Sequence, residues 1–508
     1  MRHWTQWFAR TRVPSWPSAP RAAGHQGRLS ARAARGGTTT DLSVSPLIRA
    51  KTSRPAFRAL AGGVQDAPSS SSSGFSGFGL SDALVGRLSA LDLETPTPIQ
   101  REALAALGEP ASSDHIGGGG EEEEEEDESG RAYAIEAYTG SGKTLAYLLP
   151  IVNELLLARD QGESGRAGGG KRKRGIFALV VVPSQELAMQ ICRVAQTLVG
   201  DEHAKLVQQC IGGANKRRQI AAIKSNSPQI LVGTPGRLAD LSKAGVLHTH
   251  FAKFLVLDEA DKLLQENYLV DLAMIQQHAG KKKGSDHVRI LCSATLPPST
   301  ARVFKERGWI GRHRYRHLTM SGKAEPGRDK VDGTQAKAAV PELSPNLDHC
   351  FVPAPKIRKA DTVRRCINAL QPSKVLVFHN FSNQLAQTAA RLQTGEITVG
   401  VLDGKMKKEA KRKVIQAFGR GEIRALVASE AATRGLDFPG CDCVVNMDMP
   451  MDAGHYVHRA GRTGRGAAKG VVISVPSGKE VIAISKFSRF LGIDIPEYTV
   501  THGEIRPL

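Results

Sequence analysis

The stretch AYTGSGKT at residues 137–144 has the residue types of a phosphate cradle. Gly140 and Gly142 carry no side chain at the points where backbone N–H groups must approach phosphate oxygens, and a helix N-terminus adds its positive dipole end. Lys143 offers a compact cation for the β- and γ-phosphates and Thr144 a hydroxyl for Mg²⁺. Ala137 stands where the pattern begins with glycine, and Tyr138, Thr139 and Ser141 complete the loop. A second cluster, LVLDEAD at residues 255–261, ends an apolar run in carboxylates. Asp258 is expected to partner the metal with Thr144, and Glu259 to orient or activate a water for in-line attack on the γ-phosphate. Together they describe hydrolysis of a nucleoside triphosphate.

These groups must be held at strand ends. AYAIE at 132–136 reads as the strand before the cradle, and Leu145, Leu148, Leu149, Val152 and Leu156 mark one side of the helix after it. Further apolar runs follow at 175–182, 229–233, 254–261 and 289–295, then at 374–380, 397–404, 423–429, 443–448 and 470–475. Continuous runs of this kind are buried on both faces, which means parallel sheets covered by helices. We read two α/β domains, 75–320 and 346–500, joined by a Gly-, Pro- and Lys-rich flexible linker at 321–345. Low-complexity insertions at 110–130 and 160–175 interrupt the first, and like-charge blocks of this kind do not pack.

The chain of 508 residues carries 69 Lys and Arg against 50 Asp and Glu. Residues 1–60 hold ten Arg and one Lys against Asp41 alone, the composition of an organellar transit peptide, with an Arg-rich RNA-binding arm as the alternative. Arg2, Arg10 and Arg12 around Trp4, Trp7 and Phe8 favour mitochondria, with the chloroplast as alternative. The remaining chain is still basic, which suits a polyanion. No apolar run approaches the ~18 residues of a membrane span, so no membrane partner is expected. Seven cysteines without CxxC spacing read as buried thiols in a reducing compartment.

TPTPIQ (95–100), AYTGSGKT, PSQELA (183–188), TPGR (234–237), DEAD (258–261), SAT (293–295), RGLD (434–437) and HRAGRTGR (458–465) occur in the order of the DEAD-box RNA helicases, which the chain resembles over about four-fifths of its length. GGANKRRQ, VLHTH and DTVRRCINAL are similar to a plant-type organellar branch. The resemblance implies two RecA-like domains with ATP at their interface and RNA across both. It places Phe75 and Gln100 on the adenine, Asp437 on the ribose, and Arg462 and Arg465 on the γ-phosphate, with His458 coupling the sites. Ser293, Ala294 and Thr295 with Asp261 become the link between carboxylates and interface.

Expected RNA contacts are Ser184, Gln185, Gly212, Gly213, Thr234 and Arg237 in the first domain, and Asn380, Ser382, Gly404, Ser429 and Arg434 in the second. These meet phosphates and 2′-hydroxyls, with little sequence preference. The sequence departs from the family at Gln185, at SEAATRGLD, and at Lys408 and Lys411, where a QxxR element is usual. The implied activity is RNA-stimulated ATP hydrolysis coupled to local duplex unwinding or remodelling of RNA–protein complexes. An ATP-gated RNA clamp serving as an assembly platform is the alternative, and an ATP-independent RNA chaperone the third reading. A monomer is expected, meeting organellar RNA-binding proteins.

Overall fold

The computed structural model describes residues 74–108, 131–164, 175–264, 266–280, 287–296, 302–304, 306–309, 316–320, 342–433, 436, 438, 440–465 and 468–508. The expected presequence, the whole of the first insertion, most of the second, most of the linker, and Arg434 and Asp437 lie outside them.

Seven strands form the first sheet: β1 (Ala132–Glu136), β2 (Ala178–Val181), β3 (Val207–Cys210), β4 (Ile230–Gly233), β5 (Phe254–Asp258), β6 (Val288–Ser293) and β7 (Arg316–Thr319). Their order is β3-β4-β2-β5-β6-β1-β7, and every pairing is parallel. Alternate residues of each run feed the two faces. Val180, Ile230, Val232 and Val256 join one core, while Leu179, Leu231, Leu255 and Leu257 join the other. Burying each such side chain is worth roughly 1.5–3 kcal/mol, so neither face can be left bare. Register then sets the site: Glu136 pairs with Ser293, and Asp258 with Cys292. The C-terminal ends of β1, β5 and β6 therefore finish side by side, at the edge where parallel sheets present ligand groups.

The second sheet comprises β8 (Leu347–Phe351), β9 (Val375–His379), β10 (Val399–Leu402), β11 (Ala425–Ser429), β12 (Cys443–Asn446) and β13 (Gly470–Ser474). Its order is β10-β11-β9-β12-β13-β8, again all parallel. The antiparallel hairpin β14 (Tyr498–Thr501) and β15 (Glu504–Pro507) packs on the helix Lys359–Leu370. Thus two parallel-sheet α/β lobes are present, as the apolar runs imply.

Four elements escape those runs: β3, β7, β8 and the hairpin. VQQC, RHLT and LDHCF are edge strands. An edge strand tolerates polar residues and so breaks the continuous apolar signature. The helix Lys143–Ser164 also runs into the segment read as the second insertion. All seven cysteines are free and buried, with the thiols of Cys192, Cys210, Cys366 and Cys441 pushed up to about 12 by burial. Among the described residues no helix is long and apolar enough to cross a membrane.

Candidate active site

The loop after β1 takes the shape its glycines permit. Gly140 and Gly142 both sit at φ 92, a left-handed conformation that side chains disfavour. The helix Lys143–Ser164 starts immediately after, so its free N–H groups face the loop. Lys143 Nζ donates to the carbonyl oxygens of Ala137 at 2.6 Å and Tyr138 at 3.0 Å. Burial pulls its pKa down, although Asp258 and Glu259 act the other way. A desolvated ammonium whose hydrogen bonds among the described residues go to neutral carbonyls favours an incoming anion. Ser141 Oγ is buried without a partner among the described residues. Both features fit a polyphosphate.

At the end of β5, Asp258 is 5% exposed and accepts from Tyr147 Oη at 2.9 Å and from the Glu259 N–H at 2.8 Å. Burial, then the neighbouring Glu259, raises its pKa. Its carboxylate and the Thr144 hydroxyl line one cavity, an all-oxygen donor pair of the kind a hard divalent cation takes. Glu259 adopts φ 51, ψ 48, a left-handed conformation that costs a non-glycine residue about 1–2 kcal/mol. The turn ends β5 and aims the side chain into the cavity that it lines. Burial alone would raise its pKa, but Lys262, paired with it at 2.9 Å, and Arg462 of the other lobe outweigh that and hold the carboxyl below its ordinary range.

The cavity has about 750 Å³ of empty space, its open mouth included, and both lobes line it. From the first come Lys143, Asp258 and Glu259; from the second come His458, Arg462 and Arg465. Arg462 donates to the Leu436 carbonyl at 2.8 Å, and Arg465 to the Gly461 carbonyl at 3.1 Å. His458 Nε2 lies 3.5 Å from Asp261, whose other oxygen accepts from Ser293 Oγ at 2.6 Å. Burial first, and then the cations Lys262 and Arg462, depress His458 well below its ordinary pKa, so it meets Asp261 as a neutral ring. Ala294 lines the cavity and Thr295 is buried behind it, its N–H donating to Ser293 Oγ at 3.3 Å. The lobes touch tightly, since a Cβ built on Gly461 would lie 2.7 Å from Thr139 Cβ, and one on Gly140 3.1 Å from Arg465 Cγ.

Three of the expected site residues are placed as follows. Phe75 is 3% exposed and belongs to the apolar core, not to the cavity. Gln100 does not present its amide outward: Oε1 accepts from the Thr97 N–H at 2.9 Å and Nε2 donates to the Gly142 carbonyl at 3.1 Å. It braces the phosphate loop. Asn380 is spent inside its lobe, where its N–H donates to Asp448, Nδ2 to the Met449 carbonyl, and Oδ1 accepts from Arg459.

The other residues expected to meet RNA in the first lobe lie near one another. Thr234 Oγ1 accepts from the Gly212 N–H at 3.4 Å, Gln185 lies over Gly212, and Arg237 donates to the Ala214 carbonyl beside Gly213 at 3.1 Å. Ser184 caps the helix Gln185–Val199 by accepting from the Leu187 N–H. In the second lobe Ser382 donates to Asp403, next to Gly404, at 2.9 Å, while Ser429 is buried at the end of β11.

Sequence reasoning missed Arg459. It is 1% exposed, and its guanidinium joins Glu430 at 2.9 Å, the Asp448 carbonyl at 2.9 Å and Asn380 at 2.6 Å, over the Phe378 ring. It thus ties the ends of β9, β11 and β12 to the helix Ala453–Ala460 that carries His458. The one available signal was a charge falling beside Tyr456 and Val457 on the buried side of that helix. Tyr147 was missed likewise, because its partner Asp258 comes from another element, whereas Lys262 pairs with Glu259 only three residues away, a spacing the sequence did offer.

A phosphate loop in one parallel-sheet lobe, faced by the arginine-bearing turn of a second, defines a two-lobed P-loop nucleotide hydrolase. The DEAD/DEAH box helicase model matches residues 97–303 and the helicase conserved C-terminal domain model residues 358–467. DEAD-box ATP-dependent RNA helicase 47, mitochondrial, of Arabidopsis thaliana is 37% identical over 458 residues, 86% of this chain and 79% of that protein. Helicase 47B of Oryza sativa subsp. japonica is 35% identical over 462 residues, 86% of this chain and 76% of that one. The chain belongs to the DEAD-box ATP-dependent RNA helicase family. Among solved structures, S. cerevisiae Dbp5 bound to RNA and ADP BeF3 matches with a TM-score of 0.64 at 21% identity, covering 84% of this chain and 95% of that one. Mss116p bound to ssRNA and AMP-PNP matches at 0.66 and 20%, covering 86% and 81%. These likenesses speak for the fold.

Proposed function

We propose that this helicase grips ATP between its lobes and RNA across both, and that closure of the cleft links hydrolysis to bending of one strand and release of its partner. The observation that carries this reading is the shared cavity, in which Arg462, Arg465 and His458 of one lobe face Lys143, Asp258 and Glu259 of the other. Lys143 and the loop N–H groups hold the phosphates, and Glu259 orients the attacking water. Thr144 and Asp258 would hold Mg²⁺, which supplies charge neutralisation to the β- and γ-phosphates when bound. Arg462 and Arg465 complete the site only when the lobes meet. Arginine fingers supply on the order of 10³ to 10⁵ in rate, roughly 4 to 7 kcal/mol, far more than a surface ion pair at ~0–1 kcal/mol. Closure can therefore gate turnover.

RNA contacts are assigned to Ser184, Gln185, Gly212, Gly213, Thr234 and Arg237 in the first lobe and Ser382 and Gly404 in the second. The mitochondrial name of the Arabidopsis relative and the Arg-rich first 60 residues support a mitochondrial setting. The test is ATP hydrolysis with and without single-stranded RNA. Wild type should be stimulated by RNA, and Lys143→Ala should lose turnover altogether; hydrolysis by that variant at the wild-type rate would overturn the site. Duplex release within one turnover separates unwinding from a stationary clamp.

A further inference from the structure

Asn380 turns inward, and the next residue does the opposite. Phe381 is in extended backbone, φ −127 and ψ 155, where successive side chains point to opposite sides. Its ring is 64% exposed. A single exposed apolar residue is ordinary on a protein surface. What sets this one apart is its company. The hydrogen bond from Ser382 to Asp403 pins the Phe381 loop to the turn after β10. That turn begins the segment KMKKEAKRK at 405–413, six cations and one acid, of which Lys405, Lys407, Arg412 and Lys413 are exposed. The tertiary structure thus sets a solvent-facing aromatic beside a basic track, the combination by which single-stranded nucleic acid is held through stacked bases and neutralised phosphates.

We infer that Phe381 is a stacking platform for a nucleobase of the bound RNA strand, with the 405–413 segment beside it meeting the phosphates. A face-stacking contact is tolerant of base identity, so it adds affinity without a sequence code. It also adds to the β9 loop, beside Ser382, a contact that polarity did not suggest. The inference rests on the reading of the chain as an RNA binder.

The experiment measures binding of the full chain to labelled ten-nucleotide RNA in the presence of AMP-PNP, at several salt concentrations. Phe381→Ala should weaken binding roughly 5- to 100-fold, with an unchanged slope of affinity against salt because no phosphate contact is lost. Phe381→Leu, apolar but not aromatic, should also weaken it. Phe381→Trp should retain affinity, and its indole fluorescence should be quenched by the RNA. On an abasic ribose-phosphate oligomer, wild type and Phe381→Ala should bind equally. Wild-type affinity of Phe381→Ala for normal RNA, or a defect that persists on the abasic oligomer, would overturn the inference while leaving RNA binding intact. If the wild type itself does not bind RNA under these conditions, the functional reading falls and takes the inference with it.

Discussion

Two histidines show how far burial decides the chemistry of a single side chain. His349 is 7% exposed, bonds Tyr456 Oη at 2.9 Å and has no acidic partner among the described residues, so burial lowers its pKa from the ordinary 6.5 to about 4. Between those values the unfolded chain takes up a proton that the folded lobe refuses. Stability contributed by neutral His349 is therefore complete above 6.5 and drains away as pH falls towards 4. Urea unfolding of the second lobe at pH 7 and pH 5 should show the wild type losing about 2 kcal/mol more than His349→Gln, which stays neutral throughout. Equal losses in the two proteins would refute the assignment. His458 is depressed in the same direction, but between the lobes, so in its case acid opposes closure.

Helix and loop ends determine how closely the lobes approach. Gly461 has φ −67, a conformation open to alanine, and within its own lobe an added methyl group would first meet the Val457 carbonyl, at 3.3 Å. The group would lie 2.7 Å from Thr139 Cβ in the phosphate loop, inside any tolerable contact. Gly461→Ala should leave each lobe's thermal transition in place and reduce RNA-stimulated ATP hydrolysis by at least tenfold. Retained wild-type hydrolysis would mean that the lobes turn over ATP without this contact. Arg459 works at the same scale. By joining three strand ends to the helix bearing His458, it places the β9 loop and the hydrolysis site on one rigid support.

For the whole molecule the question is coupling. If ATP and RNA both prefer the closed arrangement, each must tighten the other by one common factor, as linkage requires. Titrating RNA with and without AMP-PNP, and AMP-PNP with and without RNA, should return the same ratio within error, of order 5- to 150-fold. A ratio of one in both directions would show that the lobes do not share their ligands through closure.

Residue order alone determined the parallel-sheet lobes, the phosphate loop and the carboxylates at the end of β5. Those features are local: a buried strand writes its apolar run, and a cradle writes its glycines, in consecutive residues. The strands β3, β7 and β8 were illegible because an edge position permits polar residues, so no run marks them. Gln100, Asn380 and Phe381 show the deeper limit. Motif position says that a residue is near a site, but not which way its side chain turns. That direction is settled by which partners neighbouring elements present: the Gly142 carbonyl for Gln100, Arg459 for Asn380, and open solvent for Phe381. Only the folded chain brings those partners together, because residues 42 and 79 positions apart become neighbours only when the sheets have formed.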